Sequence, residues 1–388
     1  MSCIAPCSTP KQQRGIEAPA PRARRRWRAL PLGAGLLAVV SACATSGRSV
    51  VMATPAEDTR PGPATSWPLR VREHIDLWLH GFALLHRDST LVPYFRPGYA
   101  QRVSDERQRR SLTTLFDTYA PRLRDRLVAN PGLLNAQFVV LYFETWEELR
   151  RAANLLVQLG GDARRASNQR DAEAVATMAT YFPSAEDRDW LLHFFQALED
   201  EDERFFAQYW RSEQRRLGPA FDRADELWRR SYQRAFATFL QNSRQREGDL
   251  FAALALAGEG RTLTGNTGNT VVVGYPSDTA QAVELVYVFA HEIVGSTANA
   301  LVLDNSSPAD RRSGLADQWA SLATVRGGAM LLQRVAPELV EGYQHYYLAL
   351  AGETIGADAG ARFTTVFPLP DPIRSALERQ IDIILGGI

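Results

Sequence analysis

From Pro68 onward, apolar residues recur mostly every three or four positions, the spacing of helices that bury one side. Pro68 to His86 is apolar at Leu69, Ile75, Leu79, Phe82 and Leu85. Glu106 to Ala129 and Leu133 to Leu159 continue the pattern, and Thr145 with Glu148 three residues on forms a capping box that predicts a break near Glu144. Ser184, with Asp187 as its acidic partner, opens a helix to about Arg216. Pro219 to Asn242 follows, and the two read as an antiparallel pair joined at Leu217-Gly218. The pattern changes at Gly248. Asp249 to Ala257 fits either state, whereas Arg261 to Thr264 and Thr270 to Tyr275 are β-branched and predict strands, with Gly258-Glu259-Gly260 and Gly265 to Asn269 as turns. Asp278 then caps a helix, with Gln281 at its third position, that runs to about Leu303. Further helices are expected at Pro308 to Val335, Glu338 to Ala351 and Asp371 to Leu385, and no repeat of fixed period is present.

These elements predict a mainly α protein, a helical domain with a small antiparallel β element. The organisation expected is residues 1–42 as a signal segment, 43–67 as a tether rich in Ser, Thr, Pro and Gly, 68–246 as a helical region and 247–388 as a small sheet with helices. Arg326-Gly327-Gly328 lies inside a helical pattern. Two glycines there cost about 1 kcal/mol each against alanine, so a close helix crossing is expected.

The first region explains itself by polarity. Arg22, Arg24, Arg25, Arg26 and Arg28 precede an uncharged, mostly apolar run, Ala29 to Ala42, that stops at Cys43. The run is shorter than the roughly 20 residues a bilayer-spanning helix needs, so it reads as a cleaved secretion signal. Val40-Ser41-Ala42-Cys43 closely resembles the lipobox of bacterial lipoproteins. The resemblance implies that Cys43 becomes the lipid-modified first residue of the mature protein, which would sit in the cell envelope facing the periplasm or the exterior. The membrane would then be a partner through the lipid on Cys43.

Removing the signal changes the charge balance. The full chain has 44 basic and 44 acidic residues; without the seven basic and one acidic residues of 1–42 it carries 37 against 43, a net charge of −6. Such a chain has no general attraction for nucleic acid or anionic lipid. Cys3 and Cys7 leave with the signal and Cys43 would carry lipid, so no disulfide is expected. Stability must come from a core, which about 345 residues supply.

One segment carries candidate chemistry. The strand Thr270 to Tyr275 precedes a helix containing Phe289-Ala290-His291-Glu292-Ile293-Val294-Gly295. This resembles the active-site segment of the zincin metallopeptidases, in which a helix bears His-Glu-x-x-His: the two His bind zinc and the Glu polarises the attacking water. The resemblance covers Arg261 to Leu303 and implies His291 as a metal ligand and Glu292 as the catalytic base. Gly295 stands where the second His belongs and cannot ligate. A functional site would need ligands from elsewhere, and Glu341 with His345, four apart, would complete a His, His, Glu set. Tyr343, Tyr346 or Tyr347 would then be placed to stabilise an oxyanion. Glu284 is two turns before His291, roughly 10 Å along the axis, too far to share an ion.

The remaining polar groups read as structural. His74, His80 and His86 are six apart and point in three directions on a helix; Asp76 and His80 have pairing distance in sequence, and His193 lies among apolar residues. Glu199-Asp200-Glu201-Asp202-Glu203 reads as a solvated acidic segment, since a calcium loop interleaves its ligands with a glycine turn. Two functions therefore stand. One is a lipid-anchored envelope protein with a degenerate, non-catalytic metallopeptidase-like domain that binds a protein partner or gives structural support, with no cofactor. The other is a zinc-dependent peptidase with an altered ligand set, acting on peptides.

Overall fold

The computed structural model describes residues 65–86, 94–265, 268–354 and 358–386. The expected signal segment, Cys43 and the tether up to residue 64 lie outside the described residues. The end of the tether belongs to the fold: Ser66 bridges Glu247, and Trp67 is fully buried with its indole Nε1 donating to the Gln245 carbonyl at 2.8 Å.

The chain is mainly α. Helix α1 (Glu73–Leu85) has Glu73 and Asp76 in its first turn, where acids favour the positive end of the helix, and is buried at every position from Ile75 on. It starts later than the periodicity predicts because Leu69–Arg70 is a strand. The helix expected from Glu106 to Ala129 is two, α2 (Tyr99–Arg109) and α3 (Leu115–Ala129). Ser111 at φ 53° turns the chain between them, and Asp117 accepts from the Thr114 amide to restart it. The break near Glu144 is present: a 3-10 segment, Pro131–Tyr142, gives way to α4 (Trp146–Gln158), whose first turn Thr145 caps through the Glu148 amide at 3.2 Å. Helix α5 (Gln169–Tyr181), capped by Asn168, has no counterpart among the expected elements.

Ser184 and Asp187 cap α6 (Ala185–Glu201) as the sequence predicts. The break at Leu217-Gly218 is absent. A π turn at Asp202–Phe206 leads into α7 (Ala207–Leu227), which passes through Gly218 and Pro219, and a second π turn follows at Trp228–Tyr232. The packed stripe Leu217, Ala220 and Ala224 continues across the proline, and its burial outweighs the lost backbone hydrogen bond. Each π turn inserts a residue that rotates the buried face, which lets both Phe205 and Phe206 go inside. A short helix α8 (Ala237–Asn242) closes this half.

Four strands form one sheet in the order β1 (Leu69–Arg70), β2 (Gly248–Ala253), β4 (Gly268–Gly274), β3 (Arg261–Gly265). The antiparallel hairpin of β3 and β4 is as expected. To it β2 and β1 are added in parallel, with Leu250 opposite Val271 on one side and Leu69 on the other. Burial of Leu250 to Leu256 without alternation marks β2 as a central strand. The last helices are α9 (Glu284–Asp304), α10 (Pro308–Arg312), α11 (Leu315–Val335), α12 (Val340–Leu350), α13 (Ala359–Val366) and α14 (Asp371–Ile384). Asp278 Oδ1 accepts from the Ala280 and Gln281 amides at 2.9 Å and starts the turn that leads into α9. Gln281–Asp304 is long and apolar enough to span a membrane, but 67% of its most apolar 18-residue window is buried within the protein, as in a core helix.

Helix α11 meets α9 closely at Gly327 and α12 at Gly328. A Cβ on Gly327 would meet Val294 Cγ1 at 2.5 Å, and one on Gly328 would meet the Tyr343 hydroxyl at 2.2 Å. That hydroxyl donates to the Val325 carbonyl at 2.8 Å, so the ring cannot yield without losing a buried hydrogen bond. Gly328→Ala is therefore expected to destabilise the protein by about 1–3 kcal/mol, the usual cost of overpacking. Urea unfolding of the full chain measures this, and an unchanged midpoint would mean that the crossing is looser than described.

Candidate functional site

His291 and Glu292 lie in the middle of α9, where the helix packs under the β3–β4 hairpin, and both are more than nine-tenths buried. Gly260 permits that approach. A Cβ there would stand 2.6 Å from the Val272 carbonyl, 2.9 Å from Val288 Cγ1 and 3.1 Å from Glu292 Cγ. With Gly260 bare, β3 closes on the helix and Thr262 reaches Glu292, its hydroxyl donating to Oε2 at 2.9 Å. The other carboxylate oxygen, Oε1, lies 3.0 Å from His291 Nδ1. Tyr347 of α12 stacks over the imidazole, with ring centroids 5.3 Å apart and planes 23° from parallel.

A second acid completes the group. Glu259 is half-buried in the Gly258–Gly260 turn, and α12 fixes this turn because the Tyr346 hydroxyl donates to the Gly258 carbonyl at 2.7 Å. Burial and the neighbouring Glu292 charge raise the Glu259 pKa against the pull of His291. For His291, burial opposes the charged ring, but the hydrogen bond and charge of Glu292 and the charge of Glu259 outweigh it, and its pKa is raised. The arrangement ties the imidazole to the Glu292 carboxyl group, with Glu259 near enough for its charge to act on the ring.

The other expected ligands are not brought here. Helix α12 turns Tyr343 and Tyr347 inward, and residues two positions away lie about 200° round the helix. Glu341 is accordingly exposed and His345 partly so, and Tyr347 takes the place against His291 that His345 was expected to fill. Among the described residues no three His, Cys, Asp or Glu side chains are grouped to hold a metal ion, so the residues present do not fit the zinc that the zincin resemblance implies. Gly295 is not forced by packing. A Cβ there would meet only Thr324 Cγ2, at 3.6 Å. Of the three tyrosines, Tyr343 and Tyr346 commit their hydroxyls to the Val325 and Gly258 carbonyls. Glu259 and Thr262 were missed as site residues. The signal was an acid flanked by glycines at a strand entrance, which reads as a turn and nothing more.

The remaining polar residues separate as follows. His74 lies 3.2 Å from the Phe143 carbonyl, His86 stacks on Phe95, and His193 contacts the Asp189 carbonyl and Arg122. His80 bonds Tyr99 and Glu201, so it does not pair with Asp76. Glu201, expected in solvent, is fully buried. Asp76 instead accepts from the Leu254 amide at 2.7 Å and from Trp210 Nε1 at 2.8 Å, tying α1 to the end of β2 and to α7.

Burial pushes the Asp76 pKa up to about 7, although both hydrogen bonds and Arg96 act to lower it. The unfolded value is about 3.9, so the contribution of Asp76 to stability is whole below about pH 4 and is lost as the pH rises through about 7. Measured against Asp76→Asn, which does not titrate, the wild type should gain stability from pH 8 to pH 5. The gain expected is on the order of 1 kcal/mol per pH unit inside the window. A constant difference between the two urea midpoints across that range would contradict it.

No protein family model matches the chain, and no curated protein or solved structure is similar to it.

Proposed function

We propose that this is a lipid-anchored cell-envelope protein whose C-terminal half is a degenerate, zincin-like, non-catalytic domain serving binding or structural support. One observation carries the non-catalytic part. Both Glu292 oxygens are engaged inside the fold, by His291 and Thr262, and Tyr347 covers the imidazole. A catalytic base must present an oxygen to the water or proton it acts on. Here the strand, the helix and the tyrosine close that position, and the residues act as a polar tie between β3, α9 and α12. The anchor is supported by the arginines, apolar run and cysteine of residues 22–43.

Two arms test this. The full chain should cleave no peptide substrate on addition of zinc, and Glu292→Gln should match it; zinc-dependent hydrolysis that disappears in Glu292→Gln would overturn the non-catalytic reading in favour of a zinc peptidase. In a bacterial host, Cys43→Ser should move the protein out of the membrane fraction. Unchanged membrane association would remove the lipid anchor.

A further inference from the structure

A cavity of about 490 Å³ opens at the carboxyl ends of the parallel strands β2 and β4, a size within the range of small-molecule sites. Leu254 follows β2, Gly274 ends β4 and Tyr275 follows it, and Gln281 precedes α9, which Glu284 opens. Open sheets with parallel strands bind ligands outside these strand ends, and the first turn of a long helix adds partial positive charge. The wall is aromatic, from Tyr99, Tyr209, Tyr275 and Tyr346, with Leu217 and Leu285 between.

The charges in it do not balance. Arg96 is half-buried, and among the described residues its guanidinium bonds neutral groups: the Leu256 and Tyr275 carbonyls and the Ser277 hydroxyl. Its Nε is buried and has no hydrogen-bond partner among the described residues. At the mouth Arg216 pairs with Glu213 at 2.6 Å, whereas the Arg102 guanidinium donates to the Pro97 carbonyl at 3.3 Å. Glu284 also faces the cavity, and burial raises its pKa. Three guanidinium groups against two carboxylates leave a surplus of one positive charge. A partly desolvated guanidinium without a carboxylate partner gains most from an anion placed beside it.

We propose that this cavity binds a small organic monocarboxylate with an aromatic or branched apolar body, its carboxylate held among Arg96, Arg102 and Arg216. A free organic acid and the C-terminus of a peptide share that chemistry. Nothing in the site depends on the state of His291 or Glu292, so its test stands apart from the zinc experiments.

Calorimetric titration of the full chain with N-acetylphenylalanine, its uncharged amide, and the acetylated tripeptide Ala-Ala-Phe decides the matter. The acid should bind saturably and its amide at least about tenfold more weakly, because the charge-assisted bonds are lost. Arg102→Gln, an exposed substitution chosen because Arg96 ties three segments together, should weaken the acid about threefold. Tighter binding of the tripeptide than of the acid assigns the site to peptide C-termini, and weaker binding assigns it to free acids. Equal affinity for acid and amide, no saturable binding of the acid up to about 10 mM, or an Arg102→Gln protein that binds the acid as wild type does would each overturn the proposal.

Discussion

Replacing Glu201 by alanine should destabilise the protein by about 3–5 kcal/mol, the cost of breaking a buried ion pair by removing one partner. The Glu201 carboxylate is fully buried and lies 3.3 Å from His80 Nε2 and 3.7 Å from Arg107 Nη1, and it accepts from the Thr114 hydroxyl. Burial raises its pKa, but these partners outweigh burial and the pKa is lowered overall. Among the described residues, alanine would leave Arg107, itself buried, with Asp117 and Thr114, and would leave His80 with Tyr99. Glu201→Gln keeps the volume and one acceptor and should cost less. Because the folded pKa lies below the unfolded value near 4.3, the contribution is present above that value and is lost as the pH falls through the folded one. Urea unfolding at pH 7 measures the loss, and a change under 1 kcal/mol would mean that the charge is compensated elsewhere.

Trp228→Ala should cost a similar amount, about 3–5 kcal/mol, as the largest core truncations do. Trp228 is fully buried in the second π turn. Its ring meets Phe289 edge-on at 4.5 Å, and its indole Nε1 donates to the Trp67 carbonyl at 2.6 Å. Trp67 meets the same Phe289 at 5.2 Å and Phe236 lies 5.6 Å from it, so four rings lock the long helical arm, the chain entering β1 and α9 together. Phe289 is two residues before His291, and the truncation should therefore loosen the polar tie as well as the core. Trp228→Phe, which keeps a ring but loses the hydrogen bond, should cost about 1–2 kcal/mol. Equal losses for the two variants would show that packing contributes little here.

These two residues also show where the sequence can be read and where it cannot. The caps at Ser184, Thr145 and Asp278 are legible because a side-chain oxygen satisfies orphan amides within three residues, a purely local matter. The Gly327-Gly328 crossing is legible because two glycines within a helix require a close neighbour. Glu201 is not: in five successive acids each turns about 100° from the last, and only the packing of α1, α2 and the start of α3 decides which one goes inside. The fused helix through Pro219 is hidden for the same reason, since the burial of Leu217, Ala220 and Ala224 is a tertiary event. β1 is two residues long and pairs with Leu250 and Phe251 some 180 positions away, which no local pattern reveals. Around His291 the helix and its preceding hairpin were legible. Tyr347 in place of His345 was a matter of which face of α12 turns inward, and the apolar neighbours Leu348 and Tyr343, not the polar pair, set that face.

Zinc content, measured by elemental analysis on the full chain purified without chelator or metal-affinity resin, tests the degenerate-scaffold reading most directly. His291→Ala is carried alongside. Zinc well below one per chain in both proteins is the expected result. About one zinc per chain in the wild type, lost in His291→Ala, would contradict it and make His291 a metal ligand after all.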